Sequence, residues 1–348
     1  MGGNDLREAP ENFFAAHRLL SEYATRVGPG FGIRFTVQFN LFAGTVIALG
    51  NSQQVALLSE WQAQGQLGCF CLTEKLAGVN SGLVVNTTCT WDESKQMFLL
   101  DCPNDGAYKN WISQGLSADM AVVIANLIVK GKPKGPHGFL MKIRQNGELV
   151  SGVVAKDMGD KTIGNDLDNA EIAFSQVWLP KESLLDKYAG IEGGEYVQKQ
   201  KGVSNMDMIG QRLYTGRTVI AGSTLVFARS LYQSAKNYAD NKKCWSPQGG
   251  VPLSSVPQLA HLYVQTDQDR PQPLRYGCVE AAERERNGAR LTATGAQAGG
   301  GADPTAPFHE GPASECVTLP KATAWSLTNG IDWLGRFRSN QAQIWEIR

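Results

Sequence analysis

The sequence has no excess of either charge, because 33 Lys and Arg are matched by 33 Asp and Glu. That balance removes the electrostatic case for binding nucleic acid or an anionic membrane surface. It has no run of about eighteen apolar residues, so no transmembrane helix is expected. The opening MGGNDLREAP is polar and lacks the apolar centre of a signal peptide. Its MGGN start invites N-myristoylation, but Leu6 stands where that motif requires Ser or Thr. No Gly-x-Gly-x-x-Gly follows a strand-like run, so no Rossmann dinucleotide site is offered.

Cysteine is present without a framework. The seven residues, at 69, 71, 89, 102, 244, 278 and 316, are odd in number and irregular in spacing, which favours a reducing compartment. Cys69 and Cys71 have no CxxC partner and no nearby His, so no metal site is assigned to them. In a strand they would face one side together, in a core or an interface.

What the sequence does have is 348 residues, 42% of them hydrophobic, enough for two or three small domains with real cores. Residues 10 to 64 read as helices. ENFFAAHRLLSEYATRV places Phe13, Phe14, Leu19, Leu20 and Tyr23 on or near one face, GPGFG interrupts it, and Asn51 or Ser52 caps a further helix. From about 67 to 185 the grammar changes to short Val-, Ile-, Thr- and Phe-rich runs separated by Gly, Asp, Asn and Pro. That spacing predicts an antiparallel barrel or sandwich. A long amphipathic helix is expected over about 205 to 243, with small residues permitting close packing. The fold class is therefore α+β: a helical segment (1–66), a β domain (67–190) and an incomplete helical bundle (191–264). Gly-, Ala- and Pro-rich residues 265–318 are expected to be disordered, and 319–348 to form a terminal helix.

Several separated motifs then carry a resemblance. GQLGCFCLTEKLAGVNSG precedes CPNDGAYKNWIS (Cys102–Ser113), then AVVIANLIVKGKPKGPHGFLMKIR (Ala121–Arg144) and DNAEIAFSQVWLPKESLL (Asp168–Leu185). In this order they resemble the acyl-CoA oxidase and acyl-CoA dehydrogenase superfamily, more closely the oxidases. The likeness runs from about residue 45 to 243, over half the chain.

The resemblance implies FAD and a fatty acyl-CoA. A flavin takes a hydride from the β-carbon while a carboxylate takes the α-proton. It implies that Leu72 and Thr73 of the LTE motif meet the flavin edge, that Trp111 packs against the ring, and that Ser113 contacts it. Gly78, Asn80 and Ser81 then line the wall near the thioester, and Arg217 lies where members hold the CoA end. On residue type alone, Thr73 could simply pair in a strand, Trp111 could be core, and Arg217 could be a solvated helix residue. Lys242 replaces an Arg that in members reaches the flavin of a neighbouring subunit, and Trp245-Ser246 replaces Phe-Gly. A Lys keeps the charge and loses the bidentate fork.

The catalytic base is unassigned. The Glu-Gly pair and CGGHGY motif of the family are absent, and Gly216 occupies the position where some dehydrogenases carry the Glu. Glu280, Glu283 and Glu310 lie in unmatched sequence. The C-terminal helical domain therefore reads as truncated or divergent. The expected function is α,β-dehydrogenation of a fatty acyl-CoA with oxygen as acceptor, by a homodimer or larger oligomer. The alternatives are a dehydrogenase using an electron-transfer flavoprotein, or an inactive relative in an assembly. A peroxisomal setting is expected, with mitochondrial or cytoplasmic alternatives, although the final EIR is not an SKL-type address.

Overall fold

The computed structural model describes residues 10–257, apart from 204 and 248. The chain divides into two compact units, Met1–Ser223 and Thr224–Arg348. In the first, helices α1 (Pro10–Val27), α2 (Pro29–Thr36), α3 (Ala43–Leu49) and α4 (Ser52–Ala63) precede the sheets. A π-helical turn, Val37–Phe42, joins α2 to α3. Asn51 is the cap of α4: its side chain accepts from Gln54 N at 2.9 Å while Gln54 Oε1 accepts from Asn51 N, closing a capping box.

The buried stripe of α1 differs from the expected one. Phe13, His17, Ser21 and Ala24 are buried, while Leu19 and Tyr23 are exposed. Two polar residues take the inner face, each with one bond made to a carbonyl of the preceding turn. His17 Nδ1 lies 2.8 Å from Phe13 O, and Ser21 Oγ donates to His17 O at 2.7 Å. By length and composition Pro29–Leu49 could cross a membrane, yet every residue of α3 is buried within the molecule, as in a core helix.

The main sheet is built on one long strand. β1 (Gly68–Cys71) and β2 (Thr88–Asp92) pair in parallel with successive stretches of β5 (Met120–Val129). β3 (Met97–Asp101) pairs antiparallel with β2, and β6 (Lys132–Lys142) runs antiparallel along β5. β11 (Val177–Pro180) closes the order β1-β5-β2-β3-β11. The sheet is thus mixed: the expected antiparallel pairing holds for β2–β3, β3–β11 and β5–β6, and two parallel ladders on β5 are added to it. The reason is burial on both faces. Ala121, Val123, Ala125 and Leu127 enter one core with Cys69 and Cys71; Met120, Val122 and Ile124 enter another with Phe42, Val46 and Leu49 of the helices. A strand covered on both sides reads as a continuous apolar run.

β4 (Lys109–Ser113), β9 (Val153–Asp157) and β10 (Asn169–Phe174) form a second, antiparallel sheet in the order β4-β10-β9. Two short pairs complete the region: β7 (Arg144–Gln145) with β8 (Glu148–Leu149), and β12 (Ala189–Glu192) with β13 (Glu195–Gln198). The last hairpin carries β structure to Gln198, past the expected boundary at 190. Helix α5 (Asn205–Asn241) follows, and the division between units falls within it. In the second unit β14 (Lys243–Cys244) pairs with β15 (Val251–Pro252). The expectations for residues 265–318 and 319–348 lie outside the described residues.

Candidate functional site

Strand β1 delivers the chain into the site and is held at its start. Gly68 N donates to Gln38 Oε1 of the π turn at 2.8 Å, and Gln114 Nε2 donates to Gly68 O at 2.9 Å. A Cβ on Gly68 would meet the Phe42 ring at 2.2 Å, so only glycine allows this approach. Cys69 and Cys71 then point into the core, their sulfurs 3.8 Å apart, as the strand period requires. Burial pushes the Cys89 thiol well up; for Cys69 the Cys71 hydrogen bond, then burial, does so.

Leu72 is buried and Thr73 half-buried as the strand ends. Thr73 Oγ1 lies 2.6 Å from Ser81 Oγ, so the LTE segment and the small-residue loop close on each other. Gly78 and Asn80 are exposed on that loop, and Gly78 has φ +52°.

Glu74 is the anchor of this arrangement. Its carboxylate accepts from Asn86 N at 2.7 Å, Thr87 N at 2.9 Å and Thr87 Oγ1 at 2.8 Å. It also pairs with Lys109 Nζ at 3.0 Å, and neither side chain is exposed. Lys109 Nζ donates further to Ile124 O at 2.7 Å and Leu72 O at 3.3 Å. Three acceptors for three N–H bonds make this the ammonium form. Burial would raise the Glu74 pKa, but Lys109 and the Thr87 and Asn86 donors outweigh it and hold the carboxyl below its usual range. Burial lowers the Lys109 pKa against the pull of Glu74.

Strand β4 brings the second motif to the same place. Asn110 N donates to Thr73 O at 2.8 Å, joining the strand to the loop one residue from Trp111. Trp111 is half-buried with φ +59°, a backbone region that a tryptophan seldom adopts. Its N–H donates to Met158 Sδ at 3.2 Å, and its carbonyl accepts from Asn169 Nδ2 at 3.3 Å. Asn169 Nδ2 also lies 3.2 Å from Ser113 Oγ. Asn110 Oδ1 is buried without a hydrogen-bond partner.

Leu72, Thr73, Ser81, Trp111 and Ser113 thus share one network. Arg217 is exposed on α5 and takes no part in it, and Lys242 is exposed in the second unit, where its carbonyl accepts from Leu253 N at 2.8 Å. Gly216 is buried, and a Cβ there would lie 2.9 Å from Asn40 Nδ2, which donates to Arg212 O. Glu280, Glu283 and Glu310 lie outside the described residues. Sequence reasoning missed Glu74 and Lys109. The signal available was a carboxylate and an ammonium each set among strand residues that must be buried, where charges occur only in pairs.

A helical layer, a curled mixed sheet and a long helix, with a polar loop pinned at the end of β1, define an α+β chain. No family model matches the sequence. It is 34% identical over 197 residues to the acyl-coenzyme A oxidase-like protein of Mus musculus, covering 55% of this chain and 30% of that one. The structure matches that of acyl-CoA oxidase 3 from Yarrowia lipolytica with a TM-score of 0.60 and 25% identity, covering 83% of this chain and 46% of that one. It also matches acyl-CoA oxidase-2 of Caenorhabditis elegans, solved with FAD, ascaroside-CoA and ATP, with a TM-score of 0.57 and 23% identity over 67% of this chain and 38% of that one. In sequence and in fold the chain is thus similar to acyl-CoA oxidases, the family that its motifs resemble. It spans under a third of the mouse relative and less than half of each solved chain.

Proposed function

We propose that the chain is a flavoprotein of acyl-CoA oxidase type that holds FAD in the Thr73–Trp111 cradle and a fatty acyl-CoA beside it. The observation that carries this reading is the bond from Asn110 N to Thr73 O. It joins two motifs, 37 residues apart at Thr73 and Asn110, into one half-buried surface. The residues present fit the group. Thr73 and Ser113 offer hydroxyls, Asn110 Oδ1 is a buried oxygen left unpaired, and Trp111 offers a flat apolar face.

When bound, FAD supplies the hydride acceptor for α,β-dehydrogenation, with oxygen reoxidising it. The chain's own contributions are positional. The Thr73 hydroxyl, tied to Ser81, presents a fixed hydrogen-bonding group at the cofactor's polar edge. Trp111 covers one side and excludes water from it. Gly78, Asn80 and Ser81 form the rim against which the thioester rests, and Arg217 holds the CoA phosphates. Lys242 is assigned to the flavin of a neighbouring subunit in a homodimer or larger oligomer. No described carboxylate is assigned the α-proton, because the buried Glu74 is committed to Lys109. A peroxisomal setting goes with this reading.

The test is the visible absorption spectrum of the purified chain after FAD reconstitution. Bands of bound oxidised flavin that weaken in Thr73→Val are expected; a colourless wild-type protein would reject the reading. Peroxide release on adding acyl-CoA in air separates an oxidase from a dehydrogenase that passes electrons to a carrier flavoprotein. Bound flavin without turnover would instead support an assembly role.

A further inference from the structure

We infer that Glu74 and Lys109 are positioning residues that set the Thr73 hydroxyl and the Gly78–Ser81 rim for the cofactor, an inference that rests on the flavin reading above. The loop from Thr73 to Thr87 leaves β1 and returns to β2 with little regular structure of its own: one 3-10 turn, Gly78–Asn80. Several of its residues point outward. Leu76 and Leu83 are 77% and 84% exposed, and nothing stands within 4 Å of where a Gly78 Cβ would lie. Bonding the two ends of such a loop together restricts the shapes it can take.

Glu74 does that. Its two carboxylate oxygens receive the backbone N–H groups of Asn86 and Thr87, so the exit of the loop is bonded to its entrance. Lys109 fixes the entrance to the sheets. It reaches Leu72 O immediately before Thr73, Ile124 O on β5, and Glu74 itself, and it belongs to the strand that carries Trp111. Two backbone bonds, Lys75 N to Tyr108 O at 2.9 Å and Leu76 N to Gly106 O at 3.1 Å, continue the seam. Thr73 therefore sits between a buried ion pair and Asn110, with its backbone restrained on both sides. Stability alone does not call for this device. An apolar pair of similar volume commonly serves as well as a buried ion pair, whereas neither side chain of an apolar pair could bond Asn86 and Thr87. The pair's particular product is loop geometry.

The test uses the full chain and the double variant Glu74→Leu/Lys109→Met, read by amide exchange and by FAD titration. Faster exchange of the Asn86 and Thr87 amides is expected, with FAD affinity reduced about ten- to a hundredfold, the scale of a small misplacement. Thr73→Val is expected to weaken FAD binding in the wild-type background and to add nothing in the double variant, because Thr73 is already displaced. Should the double variant not fold, Glu74→Gln gives the same readouts at nearly constant volume. Wild-type affinity despite fast exchange, or a Thr73→Val effect that simply adds, would overturn positioning. Unchanged exchange would overturn the lock itself. A wild-type chain that binds no FAD rejects the flavin reading, and the exchange result still decides whether Glu74 pins the loop.

Discussion

Gly68 and Phe42 approach so closely that a Cβ on Gly68 would lie 2.2 Å from the Phe42 ring. The contact presses the first residue of β1 onto the π turn of the helical layer, and Gln38 Oε1 takes the Gly68 N–H beside it. Gly68→Ala should therefore force the ring or the strand to move. A loss of about 1–3 kcal/mol is expected from overpacking, measured as a lower urea midpoint at unchanged slope. Phe42→Leu in the same chain should recover part of it. A Gly68→Ala protein of wild-type stability would mean that the strand start yields freely.

Breaking the buried pair one partner at a time should cost more than removing both. Lys109→Met leaves the Glu74 carboxylate buried beside a thioether, although Asn86 and Thr87 still donate to it. Destabilisation of about 3–5 kcal/mol is expected, with the double variant Glu74→Leu/Lys109→Met closer to wild type. A Lys109→Met protein of near wild-type stability would show that the charge of Glu74 is met by its backbone donors alone.

Much of this architecture could be read before folding, and the exceptions have physical causes. The apolar run 121–129 marks a strand, but its parallel partners come from 68–71 and 88–90, pairings set by burial on both faces and not by any local signal. The β12–β13 hairpin runs past the expected boundary at 190, although Gly193-Gly194 between two short runs was a turn signal in the sequence. Thr73 and Trp111 stand out through family motifs, and the structure joins Thr73 to Asn110, the neighbour of Trp111, through one backbone bond. Glu74 and Lys109 are 35 residues apart, and only the folded sheets make one the counter-ion of the other. The α1 stripe misled because His17 Nδ1 and Ser21 Oγ each find a backbone carbonyl one turn back in the helix, which lets two polar residues face inward.

His17 gives the chain a pH-dependent stability. Burial lowers its pKa to about 4, against a small upward pull from Phe13 O. The ring sits 4.3 Å from the Phe13 ring and 4.8 Å from that of Phe35, and its Nε2 is buried without a partner. Because the folded pKa lies below the unfolded value, the neutral form is favoured in the fold. The contribution is fully present above about pH 6.5 and is lost as the pH falls toward 4. Roughly 3 kcal/mol is at stake over that window. Denaturation midpoints measured from pH 7.5 to 4.5 should fall in the wild type and flatten in His17→Gln. A parallel fall in both would assign the effect to other groups.

Trp111 should be costly to the fold and necessary to the cofactor. Its φ of +59° puts a large side chain in the left-handed region, and Gln114, three residues on, has φ +65°. Strain of this kind persists where surrounding bonds over-determine the backbone, and here Met158 Sδ and Asn169 Nδ2 hold Trp111 N and O. Two substitutions separate strain from function. Trp111→Val and Trp111→Asn both remove the indole, but a β-branched residue resists positive φ and asparagine tolerates it. The valine variant should be less stable than the asparagine variant by about 1 kcal/mol, read from paired denaturation curves. Both should lose FAD affinity alike if, as proposed, the ring and not the backbone covers the flavin. If instead both bind FAD as the wild type does, Trp111 is packing, and its backbone is held for Ser113 and the Asn110–Thr73 bond alone.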